Sequence, residues 1–510
     1  RKELAVRSAL GASARRLLSQ MVTESLLLVA VAGVLGICLA PIGVKLLLWL
    51  VPPAQIPWLK VKADGVVLLV SFGATALTAL LAGLAPAFKA ARFDVISALG
   101  AARSTGAGVS RRWRVAFVIA QLALAVLPLS AAALLVNSFA RLSRVEPGFQ
   151  VDHRLTLSYF APMLRYKDAA AISQLAERVS GELRRTPGIK AAGGVQYLPF
   201  SSAASWAQAV SLERPQGNPA DLPHVSYTVA TTGYLEALGI SLKAGRLFSP
   251  ADSAASVPVV IINEALAKRH FPNEDPIGKP LWIGHAQALP AAAPRTIIGV
   301  VGDTLLNRLD SSPNAAAWVP ISQQDGGELI WRNLYLVAHT TSEPQSTLAA
   351  IRKQIAGIDS DLALSDIATM EERLGDSLWR QRFTASVLSA FSLIALAIAA
   401  LGVFGVASYL VGLRTHEIGV RVALGALPGD IFRLALKEGI VSTLIGIAFG
   451  VAGSLALTRF MGNLLYGVSS KDPFTLTIVA ILLALVALAA CSIPARRATK
   501  VDPLIALRTE

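Results

Sequence analysis

The sequence has 510 residues, 54% of them hydrophobic, and a formal net charge of +14. A soluble chain of this length divides into domains of ordinary composition, so the apolar excess needs a membrane to hold it. The only cysteines, Cys38 and Cys491, lie inside apolar runs, which excludes a disulfide framework as the source of stability.

In chain order, the apolar excess falls in six charge-free runs, 25–44, 65–88, 115–140, 383–413, 439–458 and 473–495. Each reaches the ~20 residues a helix needs to cross a hydrocarbon core of ~30 Å. Six transmembrane helices are predicted, and Pro128 is expected to kink the third. Residues 191–212 are also uncharged, but Gly193, Gly194, Gln196, Pro199 and Ser201 would leave hydrogen-bonding groups unpaired in lipid, so that stretch is assigned to water.

The expected order is a first membrane unit over 1–100 (spans at about 20–50 and 65–88) and a basic linker over 101–114. A span over 115–140 and an outer domain over 141–380 follow, then a second membrane unit over 381–510 with spans at about 383–413, 435–460 and 473–495. The fold class is a polytopic α-helical membrane protein with an α/β extracytoplasmic domain inserted between transmembrane helices.

The charge separates along the same boundaries. Residues 141–380 carry 22 Lys/Arg against 23 Asp/Glu, which removes the case for nucleic acid as the partner of this domain. Segments 1–16, 89–114, 414–437 and 496–510 hold 5, 6, 4 and 4 basic residues, whereas the loops 45–64 and 459–472 hold 3 and 2. The positive-inside rule then puts both termini in the cytoplasm and 141–380 outside.

Within the outer domain, alternating strands are predicted at 153–159 and 224–230, with further strands at 257–262, 296–301 and 331–338. Amphipathic helices are predicted at 168–186, 264–271 and 344–357, the first stopped by Pro187-Gly188. Two lobes are expected, one from about 141–215 with 325–375 and one from about 220–320.

An internal repeat organises the membrane half. The segment Glu3 to Ala12 matches Glu417 to Ala426 at seven of ten positions, and Glu24 and Gly36 fall opposite Glu438 and Gly450. Pro86, Ala90, Asp94 and Leu99 fall opposite Pro494, Ala498, Asp502 and Leu507. The second copy is preceded by two spans and the outer domain, so a longer parent with a matching first half is expected. The sequence also begins with Arg and shows no signal-peptide pattern.

The residues 417–426, Glu438, and the tail Pro494-Ala-Arg-Arg-Ala498 with Asp502-Pro-Leu504 resemble the FtsX-like permease domain of MacB-type ABC transporters. Tyr234-Leu-Glu-Ala-Leu-Gly-Ile240, Val260-Ile-Ile-Asn-Glu264 and Ile298-Gly-Val-Val-Gly-Asp303 are similar to the MacB-like periplasmic core domain. Together these cover nearly the whole chain and look most like the duplicated orphan permeases of that family. The resemblance implies a bacterial inner-membrane permease without catalytic centre or cofactor of its own, ATP being bound by a separate ABC ATPase dimer. It implies mechanotransmission or efflux, an internal pseudo-dimer of permease units, and a periplasmic adaptor or outer-membrane channel as further candidate partners.

No Gly-x-x-x-x-Gly-Lys-Ser/Thr loop occurs in the sequence, the six histidines show no metal spacing, and no Gly-x-Ser-x-Gly elbow is present. Arg414, Glu417 and Arg421 share one face of a predicted helix beside Ile418, Val422 and Leu424. The family resemblance makes Glu417, Arg421, Leu424 and Gly425, and in the first copy Glu3, Arg7, Leu10 and Gly11, the candidate ATPase-coupling residues. The alternative is a helix that only anchors on anionic lipid. Gly446 with Gly450, and Ala79 with Gly83, are candidate close-packing pairs for a seam between the two copies, against the alternative of generic small-residue packing. The competing functional class is a membrane-anchored sensor or scaffold. A secondary transporter is disfavoured because the runs carry no charge.

Overall fold

Backbone groups in lipid must pair within their own segment, and the long apolar runs accordingly close into helices. The computed structural model describes residues 14–49, 65–67, 69–77, 106–201, 206–216, 218, 221–285, 289, 292–324 and 332–499. The chain splits into two units, Arg1–Arg141 with Trp379–Glu510, and Leu142–Leu378.

In the first unit the described helices are α1 (Ala14–Trp49), α2 (Gly106–Leu142), α8 (Trp379–Leu413), α9 (Thr415–Ala423), α10 (Pro428–Leu457) and α11 (Pro473–Ala498). All but α9 are long and apolar enough to cross a membrane. Of the run 65–88, only the helical part Gly65–Leu77 is among the described residues. Local chemistry sets the helix starts. Pro428 and Pro473 occupy first-turn positions where no backbone donor is needed, and Asp472 caps α11 by accepting from Thr475 N. Pro128 lies inside α2, which continues through it. With 35 residues at ~1.5 Å each, α8 is about 52 Å long, well over the ~30 Å hydrocarbon thickness.

Four of these helices share one core. Val118, Leu122, Val126 and Leu129 of α2 are buried with Ala399 and Val403 of α8, Ile447 of α10, and Val479, Leu483 and Cys491 of α11. Polar contacts cross it. Gln121 Nε2 donates to Ile398 O (2.7 Å), Ser392 Oγ to Pro128 O (2.8 Å), and the Ser130 and Ser454 hydroxyls meet. The Arg114 guanidinium lies 3.7 Å from the Tyr409 ring centroid. By contrast, apolar side chains of α1 such as Leu27, Leu39, Leu46 and Trp49 are exposed, as a lipid-facing surface requires.

The second unit is α/β. Its strands are β1 (Arg154–Phe160), β2 (Ile189–Val195), β3 (Trp206–Ser211), β4 (His224–Ala230), β5 (Leu242–Gly245), β6 (Val259–Asn263), β7 (Pro280–Gly284), β8 (Arg295–Val301), β9 (Ala316–Pro320), β10 (Asn333–Thr340) and β11 (Leu364–Thr369). The helices are α3 (Ala169–Arg185), α4 (Tyr234–Leu238), α5 (Glu264–His270), α6 (Pro344–Ile358) and α7 (Met370–Ser377).

An antiparallel row β11-β1-β10-β2 continues through the single pair Val195–Ala230 into a closed ring, β4-β3-β7-β8-β6-β9 and back to β4. Two expectations need correction here. Strand β3 falls inside the stretch expected in the first lobe, but it pairs with β4 and β7 in the ring, because strand pairing follows the hydrogen-bond ladder and not chain adjacency. Strand β1 was expected to alternate, yet its first six residues are all buried, because the row is covered on both faces. On one face Leu175, Val179 and Leu183 of α3 and Ile351 and Ile355 of α6 pack on Leu155, Leu157 and Leu336. On the other, Tyr234, Leu235 and Leu238 of α4 pack on Val195, Tyr335 and Val337, and this core runs on into Val259, Ile261 and Trp318 of the ring.

The close approach of α4 accounts for Gly193 in the uncharged stretch 191–212. A side-chain carbon at Gly193 would stand 2.3 Å from Tyr234 N, so only glycine admits the helix there.

Candidate functional site

The repeated Glu-x-x-x-Arg segment folds as α9, a short helix between two spanning helices. Arg414 is its N-cap residue, and Ile418 N donates to Arg414 O (2.8 Å). Its end is set by Gly425, at φ +91°, with Ala426 N donating to Arg421 O (2.9 Å) and Gly425 N to Val422 O (3.0 Å). A left-handed residue here favours glycine and turns the chain into Leu427 and Pro428, where α10 begins.

The helix has two unlike faces. Ile418 is 3% exposed and packs on Ile431 and Ala498, with Val411 and Val422 half-buried beside it. Beneath this face is a cavity of about 40 Å³ whose walls include Val115, Val403, Arg414, Ile418, Ile431 and Cys491. The opposite face carries Glu417 and Arg421, with Arg421 Nη2 2.7 Å from Glu417 Oε1. Arg414 Nε lies 4.0 Å from Glu417 Oε2. Both members of the closer pair are about half exposed, so the pair contributes only about 0.3–0.5 kcal/mol to the helix.

Leu424 departs from the expectation that it joins the apolar side of the helix with Ile418 and Val422. It is 82% exposed, because the helix ends at Ala423 and Gly425 carries the chain out of helical periodicity. Leu427, 69% exposed, was not among the expected residues, and its position before Pro428 in an extended conformation is the signal that could have found it. The outward surface of α9 thus carries an ion pair, two exposed leucines follow the end of the helix, and the inward surface fixes it to the ends of α10 and α11. Glu3, Arg7, Leu10 and Gly11 of the first copy lie outside the described residues, as do Ala79 and Gly83.

Gly446 and Gly450 do mark a close helix approach, but their neighbour is α2 and not the first copy. A side-chain carbon at Gly446 would stand 2.7 Å from Leu122 Cβ, and one at Gly450 would stand 2.6 Å from Val126 Cβ. Small residues let backbones approach in lipid, and here they seat α2 in a notch of α10. Among the described residues, no group of three or more His, Cys, Asp or Glu side chains could hold a metal ion.

Two family models match. The MacB-like periplasmic core domain matches residues 66–356, and the FtsX-like permease C-terminal domain matches 1–95 and 389–503. The chain is 28% identical over 283 residues to a probable export ATP-binding/permease protein of Pseudomonas fluorescens, covering 54% of this chain and 42% of that protein. It is 26% identical over 351 residues to the macrolide export ATP-binding/permease protein MacB of a Shewanella species, covering 66% of this chain and 50% of that protein. The chain thus spans half or less of the length of these relatives. Among solved structures, the periplasmic region of MacB from Actinobacillus actinomycetemcomitans aligns with a TM-score of 0.30 and 16% identity, over 46% of this chain and 95% of that one.

Proposed function

We propose that this chain, which belongs to the MacB/FtsX-like permease family, is the permease subunit of an ABC transporter in which a separate ATPase dimer drives movement of the periplasmic domain. Family membership and the long apolar helices make it a multi-pass membrane protein with a periplasmic domain. The basic segments argue for cytoplasmic termini, and on this reading α9 lies on the side where ATP is hydrolysed.

The observation that carries this reading is the division of α9 into a buried back (Ile418) and an exposed front (Glu417 and Arg421), with Leu424 and Leu427 exposed just beyond its end. An exposed ion pair adds too little to the helix to explain why Glu and Arg recur at this spacing in both copies of the sequence, whereas a docking face needs charge and apolar area together. Force delivered to α9 passes through Ile418 to the ends of α10 and α11, and through the glycine notch of α10 to α2. Helices α2 and α8 lead directly into the periplasmic domain, so their displacement moves it. The names of the relatives, which join ATP-binding to permease, fit export as the work done.

The test reverses the pair. Glu417→Arg with Arg421→Glu preserves the intrahelical attraction but presents the wrong sign to a partner, a change of several kcal/mol at an interface. Membrane insertion and melting stay unchanged, while ATPase co-purification and stimulated hydrolysis are lost. Unaltered association, with Glu3→Arg and Arg7→Glu added, overturns the reading and moves the sensor or scaffold class to first place.

A further inference from the structure

Helix α10 carries an open cleft near its N-terminal end. Phe432, Leu436, Ile440 and Val441 line it together with Arg433 and Lys437, and the open space over these residues is about 410 Å³. The two cations are four residues apart, so they stand on one face. Both are exposed, and neither forms an ion pair or hydrogen bond among the described residues. Asp430, in the first turn, complements the helix dipole and does not pair with either cation.

Position along the helix is what gives the groove its chemistry. From Gly439 to Thr458 the sequence is uncharged, so Arg433 and Lys437, with Glu438, mark the polar boundary of the span. Side chains on a helix lean toward its N-terminus, which here is the aqueous end, so both cations reach toward headgroup depth while their stems stay on the apolar wall. Ile440 and Val441, 41% and 49% exposed, continue the wall to hydrocarbon depth. Charge at one end and apolar surface at the other match a two-part ligand, and a free anion would leave the apolar part unused.

We propose that this groove binds an anionic phospholipid, its phosphate held between Arg433 and Lys437 and one acyl chain lying along Ile440 and Val441. The site is distinct from the outward face of α9 and holds whether or not an ATPase docks there. Two juxtamembrane cations bias occupancy toward anionic over zwitterionic lipid by about tenfold or more.

The experiment uses the full chain in nanodiscs of phosphatidylcholine, with or without added phosphatidylglycerol, reading the melting midpoint and the lipid retained by native mass spectrometry. The wild type gains stability and retains phosphatidylglycerol. Arg433→Gln with Lys437→Gln loses about tenfold or more of that retention and the added stability, while melting as the wild type does in phosphatidylcholine alone. Arg496→Gln with Arg497→Gln, exposed cations of the last turn of α11, retains both effects. Inorganic phosphate added to phosphatidylcholine discs stabilises nothing. Equal phosphatidylglycerol retention in the Arg433/Lys437 variant, equal loss in the Arg496/Arg497 variant, or the same stabilisation by phosphate would each overturn the proposal.

Discussion

Gln121 and Gly402 face each other across the contact between α2 and α8 so closely that a methyl group at position 402 would stand 2.1 Å from Gln121 Oε1. The amide reaches past this glycine to donate to Ile398 O at 2.7 Å, a polar tie between two helices that the family reading makes the periplasmic domain's levers. Gly402→Ala should therefore destabilise the bundle by about 1–3 kcal/mol, as overpacking does. Gln121→Ala removes one interhelical bond at about 0.6–1.7 kcal/mol, the range for such bonds in membranes. The two effects should not add, since the alanine at 402 clashes only with the amide. Melting of both single variants and the double variant in detergent checks this, and strict additivity would show that the residues do not meet.

The case of Gln121 also shows where sequence reading stops. Counting charges found the long spans, because length and absence of charge are what a bilayer selects, but an uncharged amide inside 115–140 passed unnoticed. Gly446 and Gly450 announced a close approach without naming the neighbour, since spacing describes one helix and the partner is a property of two. In the outer domain the strong β-branched runs were legible, and β4 was placed at 224–230 as observed. The short or alanine-rich strands β3 and β9 carry little propensity of their own and are held by their neighbours in the sheet. At α9 the charged face was legible from periodicity, whereas the exposure of Leu424 followed from the left-handed Gly425 one residue beyond it.

Asn263 satisfies its whole side chain within the ring. Its Nδ2 donates to Asp303 Oδ1 and Asn314 O, both at 2.8 Å, and its Oδ1 accepts from Ala316 N at 2.8 Å and Leu266 N at 3.0 Å. Asn263→Leu would strand two backbone donors, a backbone carbonyl and part of a carboxylate at the junction of β6, β9 and α5. The expected loss is about 3 kcal/mol or more, since each stranded buried group costs about 1–3 kcal/mol. Thermal or denaturant unfolding of the periplasmic signal reads it out, and a loss within the noise would mean that water replaces these bonds.

Asp359 gives the outer domain an acid-sensitive fastening. The hydrogen bond from Arg165 holds its carboxyl below the usual aspartate value, with Asp361 N and the Tyr166 hydroxyl assisting against the opposing effect of burial. A depressed folded-state value means the carboxylate stabilises the fold fully above the unfolded pKa of about 3.9, and that this stability is lost as pH falls through the folded value. Asp359→Asn should accordingly melt lower than the wild type at neutral pH, and the gap should narrow below about pH 4. A gap that widens in acid would reverse the sign of the argument.

The two faces of α9 can be separated by placing the same charge on each. Ile418 is 3% exposed against Ile431 and Ala498, so Ile418→Asp buries a carboxylate without a partner and should lower stability on the order of 3 kcal/mol. Leu424 is 82% exposed, and Leu424→Asp should stay within about 0.5 kcal/mol of the wild type, as surface substitutions do. If the exposed face docks an ATPase, Leu424→Asp nonetheless removes apolar area from that interface and adds a charge to it. ATPase co-purification should then fall sharply in a protein that melts normally. Ile418→Asp, in contrast, should lose association only together with melting temperature. Measuring both properties on both variants makes the outcome decisive, because a Leu424→Asp protein that melts normally and still holds its ATPase would remove this face from the coupling path.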